Sequence, residues 1–180
     1  MFNLLTSGHE TAWEGKGRFS MDKGRFKEHS GDEAATLDGT HVETLRILER
    51  VPTILMYEKG TEGVITDKAK FGELRDIRVT AGTISFRFHQ TGELTQKEIL
   101  ANKDRLQFSP WEEQRTHWAV KDGDIPQDIM RLVKEVDKQY DIVLSYASED
   151  RQYVQQVASY LEAHSVEFFY DQNEAATLWG

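Results

Sequence analysis

The sequence predicts an α+β module, an antiparallel sheet or small barrel with short helices, followed by the first βαβ unit of an open α/β domain. Three observations predict it. Ile84, Phe86 and Phe88 alternate with Ser85, Arg87 and His89, the pattern of a strand with one covered face. Ile142-Val143-Leu144 is apolar without alternation, and is followed by apolar residues at helical spacing and by a second apolar run at 166–170. The charge changes sharply between these regions. Residues 140–180 hold seven acidic side chains and one basic one; subtracted from totals of 31 and 22, this leaves 24 acidic and 21 basic residues in 1–139. The sequence thus divides into a mainly antiparallel module over 1–123, a connector helix over 124–139 and an α/β segment over 140–180.

Along the module, Gly-Arg-Phe occurs at 17–19 and again at 24–26, so the two copies are read as arms of a short edge hairpin behind a loose start. Thr40 stands where it can cap a helix carrying Val42, Leu45 and Leu48, which ends before Pro52. Residues 53–57 read as a strand running into the turn at Gly60 and Gly63. Residues 74–79 and 83–89 flank Thr80-Ala81-Gly82 as a hairpin, 96–101 is a short helix, and 114–121 is a strand with Trp118 and Val120 on one face. The stretch Asp124 to Lys138 reads as a helix: Asp124 as N-cap, Pro126 in the first turn, Gln127 at the capping-box position, and a stripe of Ile125, Ile129, Leu132, Val133 and Val136.

In the C-terminal segment, Ser148-Glu149-Asp150 places acids at a helix start, and Val154, Val157, Ala158 and Leu161 form its apolar stripe. A strand, helix and strand joined this closely make a right-handed βαβ unit. Ligands of open parallel sheets bind where loops leave the C-terminal ends of strands, here Ala147 to Asp150 and Asp171 to Trp179. Neither loop carries a dinucleotide or P-loop glycine pattern. The edge instead carries Glu149, Asp150, Asp171 and Glu174, which repel a bare phosphate.

Other chemistries are disfavoured. The 180 residues contain no cysteine, and the histidines at 9, 29, 41, 89, 117 and 164 show no metal-ligand spacing, so no metal site is expected. No run approaches the ~18–20 apolar residues of a membrane span and the start has no basic leader, so a cytoplasmic protein without a membrane partner is expected. Lys16, Arg18, Lys23, Arg25 and Lys27 are interleaved with Phe19 and Phe26, but Glu14, Asp22 and Glu28 dilute them; with a net charge of −9, nucleic acid is not the expected partner. Trp118 is read as core with Arg115 packed over it. Glu149, Asp150 and Asp171 resemble the acidic cluster of a phosphoryl-accepting receiver, although the third strand that would carry its acceptor aspartate is missing.

Tyr140 to Arg151, the helix ending Leu161-Glu162-Ala163-His164, and Val166 to Asp171 together resemble the opening of a bacterial Toll/interleukin-1 receptor (TIR) domain, from its first conserved box through the loop after the second strand. Leu178-Trp179-Gly180 is similar to the bacterial branch as well. The resemblance implies a flavodoxin-like α/β fold and a protein of immune or antiphage signalling. Its complete form is expected to hydrolyse NAD+ to nicotinamide and (cyclic) ADP-ribose, or else to act as a non-enzymatic adaptor that associates through its TIR segment. NAD+ is then a substrate, with no tightly bound cofactor. By position, the resemblance assigns the nicotinamide-ribose border to Tyr146, Ala147, Ser148, Asp150, Asp171 and Trp179. Where some members have arginine after the first box, this chain has Ala147 and Ser148. The family's catalytic glutamate lies in a later helix, so no catalytic residue is assigned here. Glu174 belongs to the wrong segment to replace it, and this chain is expected to be inactive as it stands. The resemblance also implies self-association through TIR segments. A piece of a longer protein is the favoured reading, because Val143, Phe168 and Phe169 need cover. Residues 40–138 resemble modules found ahead of bacterial effector domains, which suits a sensor or an assembly surface of unknown trigger.

Overall fold

A computed structural model of the protein describes residues 1–14, 17–63, 67–136, 142–164, 166 and 168–170, with the backbone alone at Ser148, Phe169 and Tyr170. The chain divides into two compact units, Met1–Val136 and Asp137–Gly180. Taken together, the elements are α+β, with a curled mixed sheet and few helices.

The first unit runs β1 (Phe2–Ser7), β2 (Arg18–Asp22), α1 (Asp32–Ala35), α2 (Val42–Arg50), β3 (Pro52–Tyr57), β4 (Lys68–Val79), β5 (Thr83–Thr95), α3 (Gln96–Ala101), β6 (His117–Lys121), α4 (Gln127–Met130) and β7 (Lys134–Glu135). The sheet order is β2-β5-β4-β3-β1-β6, with β7 paired to β5. The central β1–β3 pair is parallel, from Asn3 opposite Thr53 to Ser7 opposite Tyr57, while the other strand pairs are antiparallel. An isolated bridge between Phe26 and Trp118 joins chain from the two ends of that order.

Alternation along the central strands sends side chains into two separate cores. Leu5, Leu55, Tyr57, Trp118 and Val120 belong to one, with Leu48 of α2 and Phe86 of β5. Phe2, Leu4, Ile54, Met56 and Ala119 belong to the other, with Ile99 of α3 and Ile129 of α4. Both faces of the sheet centre are therefore covered, which is why β1 and β3 are nearly continuous in apolar residues.

Several expectations are corrected. The start is not loose: all six residues of β1 are buried between β3 and β6. The two Gly-Arg-Phe copies do not pair as a hairpin. The first opens the edge strand β2 against β5, and the second lies in a 3₁₀ turn ending in the Phe26 bridge. Thr40 does not cap α2; His41 holds that position, and Asp38 accepts hydrogen bonds from the Thr40 N–H and hydroxyl. The buried line of α2 runs through Thr44 and Leu48, with Val42 exposed.

The helix expected over 124–138 is a single turn, α4, followed by the strand β7. The physical reason is competition for its backbone and caps. Lys134 and Glu135 pair with Glu93 and Gly92, and Asp124 takes the Met1 amino group at 3.1 Å instead of capping. The apolar stripe is also broken at Leu132, which is 40% exposed, although Val133 still packs against the core. The rest of the proposed connector, 137–139, lies outside the described residues.

The β4–β5 hairpin and α3 form where expected, although both strands extend further, with register shifts at Phe71/Gly72 and Arg75/Arg78. Gly72 is required at the first shift, because a Cβ there would stand 2.0 Å from the His89 carbonyl oxygen.

The second unit contains β8 (Ile142–Leu144), a 3₁₀ turn (Ser148–Asp150), α5 (Arg151–Ala163) and β9 (Phe168–Tyr170). β8 and β9 pair in parallel, from Ile142 opposite Phe168 to Leu144 opposite Tyr170. A helix thus connects two parallel strands, burying Val154 and Ala158 at the expected helical spacing.

Candidate functional site

The segment leaving β8 is the candidate site. Four of the six residues assigned to it by position, Tyr146, Ala147, Ser148 and Asp150, fall within one five-residue stretch there. Tyr146 is half-buried, and Ala147 and Asp150 are exposed. The Asp150 N–H donates to the Ala147 carbonyl at 2.9 Å, closing the 3₁₀ turn that leads into α5. Asp150 is the N-cap residue of α5, and its exposed carboxylate makes no capping bond. The parallel register puts Leu144 beside Tyr170, so both strands end on the same side of their sheet. Asp171 and Trp179 lie outside the described residues, as does Glu174, so the second half of the proposed border is not placed.

The exposed surface of this unit is partly apolar. Val143 is 64% exposed, Tyr153 69% and Tyr160 63%. On α5, the Tyr160 ring stacks on His164 at 4.0 Å, and His164 Nδ1 stands 2.7 Å from the Tyr160 carbonyl.

A polar constellation missed by sequence reasoning lies in the first unit. Glu112 and His117 have no exposed surface and Lys121 has 1%. Glu112 Oε1 is 2.9 Å from His117 Nε2, and its Oε2 accepts from Lys121 Nζ at 2.8 Å and from the Ser109 N–H at 2.6 Å. Lys121 Nζ also donates to the carbonyls of His29 at 2.8 Å and Gln107 at 2.9 Å, which accounts for its three protons. His117 Nδ1 is 2.6 Å from the Arg115 carbonyl. Burial alone would raise the Glu112 carboxyl; the hydrogen bonds from His117, Lys121 and Ser109 outweigh it and hold it below the usual carboxylate range. Burial lowers the Lys121 ammonium, with Glu112 opposing that shift. A sealed and saturated cluster is a clamp, tying loop 107–115 to β6, and offers no open position to a substrate. The one local signal for it was a lysine closing the apolar run Trp118-Ala119-Val120.

The remaining polar residues singled out by sequence are also accounted for. Trp118 is fully buried and donates from Nε1 to Asn3 Oδ1 at 3.0 Å; Phe26 packs against its ring at 4.8 Å. Arg115 does not cover Trp118 but forks onto Glu28 with two bonds of 2.9 Å. In the basic N-terminal stretch, Phe19 and Phe26 pack against the core, and Lys27 donates to the carbonyls of Ala35 and Leu37. Among the described residues, no group of three or more histidines or carboxylates could hold a metal ion. Nor is any helix among them long and apolar enough to cross a membrane.

Comparison with known proteins finds a similar stretch in a 3′ cyclic ADP-D-ribose synthase, AaTIR, from Aquimarina amphilecti. It is 50% identical over 42 residues, 23% of this chain and 13% of that protein. This chain therefore spans 13% of the length of the curated relative it matches, and the similarity suggests a TIR-related protein. No family model matches the chain. No solved structure matches it either.

Proposed function

We propose that residues 140–180 form the opening of a TIR domain whose complete form converts NAD+, releasing nicotinamide and a linear or cyclic ADP-ribose. The observation that carries this reading is the 50% identity over 42 residues to a protein named as a 3′ cyclic ADP-D-ribose synthase. The parallel β8–α5–β9 arrangement supports it, because it brings the Tyr146–Asp150 segment to the strand ends, where open parallel sheets bind ligands. Tyr146, Ala147, Ser148, Asp150, Asp171 and Trp179 would then border the nicotinamide ribose. The glutamate that assists bond cleavage comes from outside this segment. The first unit serves as sensor or assembly surface in a cytoplasmic signalling protein.

The test is nicotinamide release from NAD+, measured for this chain and for the longest product of its reading frame. Turnover by the longer product alone, abolished by Asp150→Ala together with loss of NAD+ binding, is the expected result. The specific observation favouring the non-enzymatic alternative is the exposed apolar surface at Val143, Tyr153 and Tyr160, which suits association. Concentration-dependent self-association of the longer product without any nicotinamide release would replace the enzymatic reading by that one.

A further inference from the structure

We propose, resting on the NAD+ reading of residues 140–180, that Arg151 binds the pyrophosphate of the substrate and so sets which way round NAD+ lies. The starting point is charge. Residues 140–180 contain one basic side chain, Arg151, and seven carboxylates: Asp141, Glu149, Asp150, Glu162, Glu167, Asp171 and Glu174. Glu149, Asp150 and Arg151 follow one another and are all exposed. Even so, among the described residues the Arg151 guanidinium makes no ion pair and no hydrogen bond.

Helical spacing sets where that guanidinium stands. Arg151 precedes the buried residues Val154 and Ala158 of α5 by three and by seven positions. Residues so spaced share one side of a helix. Arg151 therefore continues the buried stripe of α5 to its first turn. That turn follows the 3₁₀ turn Ser148–Asp150, which leaves the C-terminal end of β8. The arginine thus stands at the same edge as Tyr146, Ala147, Ser148 and Asp150. Glu162 is in the last turn of α5, and Asp141 and Glu167 precede the two strands in sequence. Glu149 and Asp150 are its immediate carboxylate neighbours in the chain, and Asp171 and Glu174 belong to the loop after β9.

The chemistry of the substrate matches this division. NAD+ is bipolar: its nicotinamide ring is cationic and the pyrophosphate joining its two nucleosides is anionic. Carboxylates at the edge attract the ring and repel the pyrophosphate. Neither loop carries the glycine pattern with which backbone N–H groups cradle a pyrophosphate, so a side chain must supply the donors. A guanidinium suits this role because its planar fork pairs with two phosphate oxygens and stays charged at any physiological pH. With the pyrophosphate on Arg151, the nicotinamide end is left to the carboxylates. That orientation brings the ribosyl bond to the Tyr146–Asp150 segment.

The experiment is steady-state kinetics of nicotinamide release by the longest product of the reading frame, with NAD+ and with nicotinamide riboside, which has no phosphate. Arg151→Gln is expected to raise KM for NAD+ about tenfold with kcat retained, the mark of a charge-assisted contact made equally in ground and transition states. Arg151→Lys keeps the charge without the fork and should fall between the two, which keeps the test decisive if the glutamine variant folds poorly. Added salt should raise KM for the unsubstituted protein more than for Arg151→Gln. Riboside turnover should be the same with and without the arginine. Arg46→Gln, on α2 and paired with Glu43, should leave NAD+ kinetics untouched. An unchanged KM for NAD+, a loss in kcat alone, or an equal loss with the riboside would overturn the role of Arg151 while NAD+ conversion stands. No nicotinamide release by the unsubstituted longer product would remove the NAD+ reading and this role together.

Discussion

Strands β3 and β8 have nearly the same sequence character and opposite fates. Pro52–Tyr57 carries Ile54, Leu55 and Met56, each without exposed surface. Ile142–Leu144 carries Val143, which is 64% exposed. A continuous apolar run signals a strand meant to be covered on both faces. β3 meets that condition because neighbours on both sides and helices above and below complete two cores, whereas β8 has β9 as its pairing partner and α5 as its connecting helix. Apolar character therefore specifies the demand for cover, and topology decides whether it is met.

The largest expected effect comes from the polar counterpart of that cover. Replacing Glu112 by alanine leaves Lys121 and His117 buried without their carboxylate, and should cost about 3–5 kcal/mol, the range for breaking a buried ion pair from one side. Urea unfolding followed by tryptophan fluorescence measures this, since Trp13 and Trp118 are buried in the same unit. A loss below ~1 kcal/mol would mean that the cluster is not the clamp its geometry indicates.

The direct comparison of the two strands uses one substitution in each. Ile54→Ala should cost about 2–5 kcal/mol, transfer and cavity terms together. Val143→Ala should fall within ~0.5 kcal/mol, the range of surface changes. Hydrogen exchange resolves the two units separately. A cost at Val143 comparable to that at Ile54 would break the comparison, by showing that β8 is covered in solution.

The same contrast explains what was legible in the sequence. The alternation of Ile84, Phe86 and Phe88 and the helical spacing of Val154 and Ala158 are local, and a strand and a helix formed there, the strand running on to Thr95. β1 was not legible because Asn3 interrupts its apolar run. Its partners, Trp118, the Leu48 carbonyl and Thr53 at 3.0, 2.8 and 3.0 Å, are 45 to 115 residues away. The 124–138 helix was periodic, but pairing with β5 at Gly92 took its second half. Of the residues the sequence offered for the candidate site, the structure places only those from Tyr146 to Asp150, on the segment after β8, while little in the local sequence announced the Glu112 clamp, whose bonds reach His117 and Lys121 on β6.

Acid provides a smaller and graded test. The Glu112 carboxyl is held below its ordinary 4.5 by its hydrogen-bond donors, and the Asp76 carboxyl below 3.8, burial being outweighed there by Arg78 and Arg18. A depressed carboxylate stabilises the fold fully above its unfolded value and loses that contribution as pH falls through its folded value. Stability of the first unit should therefore decline below about pH 4.5, and the decline should be shallower in Glu112→Gln. An identical slope in that variant would remove Glu112 from the account.

The smallest expected effect concerns a pair at the surface. Arg105 forks onto Asp128 at 2.7 and 2.6 Å and draws the Asp128 carboxyl down to about 2 from an ordinary 3.8. Unlike the Glu112 cluster, both groups lie in water, where an ion pair contributes little to folding because solvent screens it and ordering two long side chains costs entropy. Arg105→Gln should therefore return the Asp128 titration, followed by NMR, toward 3.8 while the unfolding midpoint stays in place. A midpoint that falls with the titration would show that this pair holds α4 as firmly as Glu112 holds β6, and the distinction between covered and exposed charge in this unit would fail.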